Sequence, residues 1–472
     1  MWNTSQPGPR LRVRRIGGFS LAIGLLVAQS VSAIPSEPTS SDESLAHRRR
    51  DWNQSVGVVG AVYSNSSPSQ AFELSLQDRT QGRYVRFGGS AYGRLDTLRR
   101  GDTVFAAPEF FLQLNPEYSP VELTFGRKLW GWSMLDEAWD LGVYQPRLRF
   151  DYFRPQSQGL FGLFVGQERK AWGWQVLLSP MYLPEQGASF LLKDGLCTSD
   201  SPFFACPSSQ VLIFEEKTPI RYNLETGPLR EIIGNPGLAA QVRVGSTQEP
   251  RFVLGGALKP VSQIQIQYSG YLDLQSFDAK VTLRPRVAYH RVVSADAIVP
   301  SGNFEGRVSF LDEAPVRDAF DGVSTYQRIG ATRILNPAIR YQVHSRVSVG
   351  MDYLRIWGGT ADDVGPLSKG SGSIFESRFP YREAMRARVS ADLGGWSSGM
   401  LRGNAQTTVD LENPGSFNSV ELQFQSRSRW SAHFGVDLLG SSVSYRAGTG
   451  EPDFISRYRG IDRVRGGVHV AF

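Results

Sequence analysis

Cysteine, histidine and long apolar runs are all scarce in this chain. Only 2 Cys and 5 His occur among 472 residues. That excludes a dense disulfide scaffold, and two thiols without a neighbouring His make no zinc site. A mean hydropathy of −0.26 excludes a bundle of transmembrane helices, each of which needs about 20 consecutive apolar residues. Excess charge is also missing once the chain is divided. Arg10, Arg12, Arg14 and Arg15 stand unopposed at the start and account for most of the formal +6. The remainder is nearly balanced, and no basic run interleaved with aromatics points to nucleic acid. Aromatic residues at 11% argue for a folded chain.

Lysine is the last scarcity: 7 of the 51 basic residues are Lys and the rest are Arg. Many of these arginines fall on the polar faces of alternating segments, among them Arg147, Arg149, Arg284, Arg286, Arg346, Arg386 and Arg388.

What is present begins with a targeting segment. The four arginines precede an apolar stretch, Phe19 to Val27, and Val31-Ser32-Ala33 offers small residues for cleavage. Residues 1–33 therefore read as a secretory signal peptide, too short in its apolar core to span a bilayer. Residues 34–52 read as a polar, Pro- and Ser-containing lead-in, and 53–472 as the folded body.

In the body the dominant period is two. Ile264, Ile266, Tyr268, Gly270 and Leu272 oppose Gln263, Gln265, Gln267, Ser269 and Tyr271. Val347, Val349 and Met351 oppose Arg346, Ser348 and Asp352, and Met385, Ala387 and Val389 oppose Arg386, Arg388 and Ser390. Such alternation marks strands with one apolar and one polar face. Segments of about ten residues with this pattern suit a closed transmembrane barrel, because lipid offers the backbone no hydrogen-bond partners. The expected fold is all-β: a transmembrane antiparallel up-and-down barrel of about 18 strands, in the range 16–20. Ile266 and Tyr268 are expected to face lipid, and Gln265 and Gln267 the lumen. Short turns are expected at Lys259–Val261 and His344-Ser345, and long extracellular loops at 180–210, 312–335 and 358–380.

Val464, Gly466, Val468, Val470 and Phe472 alternate to the last residue. This ending resembles the assembly signal of Gram-negative outer-membrane barrels, and the body resembles the porin-type superfamily. The resemblance implies residence in the outer membrane, contact with its lipid, handling by the barrel-assembly machinery through Phe472, and passage of small polar solutes.

Three constellations could carry function. Arginines 147, 149, 284, 286, 346, 386 and 388 could line a lumen and set ion selectivity, or merely pair with lumen carboxylates. The period changes to 3.6 only around Leu129, Trp132, Leu135 and Trp139. That short helix could fold into the barrel and present Asp136, Glu137 and Asp140 to the arginines, or sit at the membrane interface. Cys197 and Cys206 would pair in an oxidising compartment. No metal or cofactor motif is evident, and no His-Glu-x-x-His or Asp-His pair suggests an enzyme. The leading expectation is a diffusion channel. The alternative is a barrel plugged by its loops that anchors surface polysaccharide or binds a protein partner.

Overall fold

The computed structural model describes residues 54–471 except 64–69, 82–83, 97–102, 115–120, 189, 200, 202, 205, 247–248, 317–323, 367–377, 397–398, 414, 442–453 and 459–460. The expected signal peptide, the lead-in and Phe472 lie outside the described residues.

Eighteen strands form one sheet. The first seven are β1 (Gln54–Tyr63), β2 (Gln70–Gln81), β3 (Val85–Asp96), β4 (Val104–Leu114), β5 (Glu122–Lys128), β6 (Leu160–Glu168) and β7 (Trp172–Ser179). Next come β8 (Gly237–Val244), β9 (Arg251–Pro260), β10 (Tyr289–Ser301), β11 (Phe304–Pro315), β12 (Thr332–His344) and β13 (Val347–Gly358). The last are β14 (Glu383–Trp396), β15 (Gly399–Asp410), β16 (Gly415–Ser426), β17 (Trp430–Ser441) and β18 (Arg463–Ala471). Each pairs antiparallel with its neighbour in sequence, and β1 pairs with β18 from Ser55↔Ala471 to Tyr63↔Arg463. The sheet is closed, with no free edge.

The two ends of the barrel differ. At one end every connection is short, as at residues 302–303 and 345–346; every connection longer than seven residues lies at the other, as at 129–159, 180–236 and 261–288. His344-Ser345 is a short turn as expected. Lys259–Val261 is not: Lys259 and Pro260 close β9 at the long-loop end, where the Lys259 ammonium donates to Pro260 O at 3.0 Å.

A second sheet of six strands is built from four long connections. Its order is Gln210–Ile213, Glu216–Leu224, Asp278–Arg286, Gln265–Asp273, Thr325–Ile329 and Ala361–Val364. Residues 262–273 are thus not a barrel strand. The apolar residues of that segment face a small cluster instead of lipid: Tyr222, Tyr268 and Leu283 are buried there, with Leu192, Ile220 and Ile266 packed against them. The Tyr268 hydroxyl donates to Asp363 at 3.0 Å; burial first, and then that carboxylate, push it up from its ordinary value. Cys197, on the second strand of the hairpin formed by Leu191–Lys193 and Leu196–Thr198, forms a disulfide with Cys206, their Cα atoms 5.6 Å apart.

Candidate functional site

The wall of the barrel is apolar outside and polar inside. Phe252, Leu254 and Leu258 of β9, Val349 and Met351 of β13, and Val464, Val468 and Val470 of β18 are exposed on the outer face. Ser348, Asp352, Arg386, Asp437 and Arg463 point inward and are buried. This inverts the order of a water-soluble protein, and it leaves no backbone edge unpaired. Only a hydrocarbon solvent rewards both. The chain is an outer-membrane β-barrel. The short-turn end is then periplasmic and the long-loop end extracellular.

The inside of the barrel is occupied by residues 129–159, which leave β5 at the extracellular end and fold into the lumen. Within this insert, α1 (Met134–Ala138) is a single turn. Its carboxylate at Asp136 accepts the backbone N–H groups of Val143 and Tyr144, both at 2.8 Å, so the chain beyond the helix is pinned back on it. Asp140 at φ 51° and Gly142 at φ 76° make the reversal. Trp132 stacks on Tyr144 at 6.0 Å.

Insert and wall are joined on several sides. Trp130 donates to Gln241 of β8 at 3.1 Å, and the Gln241 amide donates back to Trp132 O at 3.0 Å. The Met134 N–H donates to Asp296 of β10, and the Tyr144 hydroxyl meets Ser294 at 2.9 Å. A Cβ at Gly255 of β9 would stand 3.0 Å from that hydroxyl and 3.2 Å from Trp132 O, so glycine permits the close approach. Across the lumen, the Arg386 guanidinium of β14 lies 3.9 Å from the centre of the Trp139 ring. Arg154 donates to Ser419 of β16 at 2.9 Å and pairs with Asp437 of β17 at 3.2 Å. Asp151 pairs with Arg463 of β18, which also meets Asp437 at 2.6 Å.

An apolar core reinforces these bonds. Trp132, Leu135, Trp139, Leu141, Val143 and Tyr144 pack against inward residues of the wall: Phe164, Leu177, Val292, Leu311, Ile334, Leu354 and Ile356. On β13 the inward face is polar at Ser348 and Asp352 and becomes apolar at Leu354 and Ile356, where the insert docks. A second, aromatic cluster closes the extracellular mouth. It gathers Tyr63, Phe203, Phe417 and Tyr458, with Tyr152, Phe153 and Phe454 of α2 (Phe454–Arg457) packed against them.

The arginines and acids singled out in the sequence are placed as follows. Arg147 and Arg149 belong to the insert and not to the wall. Arg147 meets Asp140 at 3.2 Å and donates to Asp136 O at 3.0 Å, while Arg149 meets Glu185 at 3.0 Å. Arg386 and Arg388 do line the lumen on β14, where they share Asp352 at 2.8 and 3.5 Å. Arg284 and Arg286 lie outside the barrel in the six-stranded sheet, Arg284 paired with Glu225 at 2.6 Å and Arg286 over the Tyr326 ring. Arg346 is exposed in the periplasmic turn between β12 and β13. Of the acids, Asp136 is consumed in holding the insert together, and Glu137 is exposed. The lumen thus brings together only part of the expected set.

Asp437, Arg463 and the Arg378–Glu313 pair, bidentate at 2.6 and 3.1 Å, carry more of the interior than those residues do. Inward Leu and Ile near one end of several strands were the available sign of a docked insert. Gly395–Gly399 spells Gly-x-Ser-x-Gly; its Ser397 lies outside the described residues, and the match falls between two strands, β14 and β15. A nucleophile elbow needs a strand followed by a helix, so the match has no catalytic context.

Between the insert and β14–β16 a cavity remains, lined by Trp139, Asp140, Tyr152, Tyr381, Arg386 and Thr408 among others. Flat rings, a guanidinium, a carboxylate and hydroxyls converge there.

No family model matches the chain, and no curated protein matches it. Solved structures share the barrel fold at low identity. The Pseudomonas aeruginosa outer membrane protein OpdK is 12% identical, with a TM-score of 0.46 over 89% of this chain and 97% of its own. Wzi of Escherichia coli, described as a carbohydrate-binding β-barrel involved in group 1 capsule assembly, is 9% identical, with a TM-score of 0.45 over 94% and 95%. OpdF of P. aeruginosa, solved in complex with glucuronate, is 13% identical, with a TM-score of 0.45 over 90% and 99%.

Proposed function

We propose that this protein is a barrel plugged by its own insert, which works by binding at its extracellular end. The observation that carries this reading is the insert itself, bonded to β8 and β10 on one side and to β14, β16, β17 and β18 on the other. Asp437 and Glu313 have no solvent exposure, as expected of a filled upper lumen. The small cavity beside Trp139 and Arg386 offers aromatic rings and polar groups at the extracellular end of the insert, where part of a small polar ligand can be held. A diffusion channel is the second reading, favoured by the partly exposed polar residues of the periplasmic half, such as Asp392 and Arg402.

Planar-bilayer recording separates the two. Purified wild type is expected to give no steady current, and a variant with residues 131–158 replaced by a short Gly-Ser linker a stable open pore. A steady wild-type current that the deletion leaves unchanged would overturn the plugged reading.

A further inference from the structure

Two histidines on the inner wall have no part in the plug. His433 of β17 and His469 of β18 both point into the periplasmic half of the lumen, half-buried, with ring centres 5.5 Å apart and planes inclined by 38°. Neither ring hydrogen-bonds to another described residue. Their placement depends on two glycines. A Cβ at Gly57 of β1 would fall 2.1 Å from the His469 Nδ1, and one at Gly467 would fall 2.5 Å from the His433 Cε1. Each imidazole therefore lies down on a strand position where any side chain would lift it away.

We propose that His433 and His469 form a binding site for a divalent transition metal, with Zn²⁺, Ni²⁺ and Cu²⁺ as the chemical class. Imidazole nitrogen suits these ions. With metal–nitrogen bonds of about 2.0–2.1 Å, two rings sharing one tetrahedral ion hold their centres roughly 5 Å apart, close to the separation found. Among the described residues no group of three or more His, Cys, Asp and Glu is arranged for a metal, so water completes the shell. Glu421, on the same inner wall, is held by Arg465 and Arg154 and its charge is already used. Such a site is exchangeable, open to periplasmic solvent, and it links β17 to β18 beside the seam where β18 meets β1.

The test uses the purified full-length barrel in detergent, without a polyhistidine tag, and Zn²⁺ titrated by calorimetry at neutral pH, where both rings are free to bind. One ion per barrel is expected. His433→Gln and His469→Gln should each weaken it at least tenfold, Gly57→Ala should weaken it by displacing the ring, and His344→Gln at the exposed periplasmic turn should leave it unchanged. Heat-modifiable migration on gels confirms that each variant is folded. Bound Cu²⁺ should show nitrogen hyperfine structure in its EPR spectrum that both glutamine variants reduce. No saturable binding to the wild type, or binding that survives both glutamine variants, would overturn the proposal.

Discussion

The two halves of the lumen are built from the same strands yet obey different rules. In the extracellular half the Asp437–Arg463 pair is sealed: the two residues are 0% and 2% exposed and lie under a layer of aromatic rings. In the periplasmic half, pairs of the same chemistry stay wet. Asp392 meets Arg402 at 2.8 Å, with about a third of each side chain exposed. The difference teaches that a polar inner face is not evidence of an open pore. Where an insert supplies hydrogen bonds and an apolar surface, the same residues become a polar core. Where it does not, they keep a share of solvent exposure.

Equal substitutions in the two halves should therefore have unequal effects. Asp437→Asn leaves Arg463, Arg465 and Arg154 facing a neutral group inside a buried network. Breaking such a pair costs about 3–5 kcal/mol. Asp392→Asn removes a half-exposed pair, worth about 0–1 kcal/mol. Urea unfolding in lipid vesicles followed by tryptophan fluorescence measures both. Equal losses would erase the contrast between sealed and wet halves.

Much of the architecture was legible in the sequence. The period of two on 346–353 and 383–390 gave the inward and outward faces of β13 and β14 correctly, because lipid outside and water or polar protein inside both enforce alternation. What misled was segment 262–273, where the alternation looks cleanest. A strand that packs one face on a small external cluster has the same period as one that faces lipid, so Ile266 and Leu254 are indistinguishable by pattern. Arg147 and Arg149 misled for a related reason: they lie on a short strand, Arg147–Arg149, that pairs with Gln156–Ser157 inside the insert and not on the wall. The Arg463–Asp151 pair spans most of the chain and leaves no local trace. The helical face through Trp132, Leu135 and Trp139 did announce the insert, although not its acids' role as internal staples.

The same ambiguity can be resolved by charge. Leu254 is 62% exposed on β9, with Val253 beside it turned inward. Leu254→Arg should reduce assembly by about 2–4 kcal/mol, the cost of a cation at the lipid face of a barrel. Ile266→Arg should leave barrel assembly intact and loosen only the external sheet, seen as faster proteolysis between residues 205 and 290 on whole cells. If Ile266→Arg blocked assembly while Leu254→Arg did not, the assignment of β9 and of the external sheet would be exchanged.

The smallest effect concerns how the extracellular cover is held. The disulfide closes a loop over a sequence separation of 9, and the chain-entropy relation gives it about 2–3 kcal/mol, confined to that loop. The same loop carries Phe203, 1% exposed, whose ring stands 5.5 Å from Phe153 of the insert and 5.5 Å from Tyr458. The disulfide therefore keeps Phe203 presented to the mouth cluster, while the ring supplies the contact. Cys197→Ser with Cys206→Ser should raise protease cleavage within the loop and leave the unfolding midpoint of the barrel unchanged, since its 18 strands close without it. Phe203→Ala should do the same to the loop with the disulfide intact, because it removes an aromatic anchor from a packed site. Combining the changes should add little, as both act on one docking event. Should the double cysteine variant lower the barrel midpoint as much as Asp437→Asn, the cover would be part of the sealed upper half and not an attachment to it.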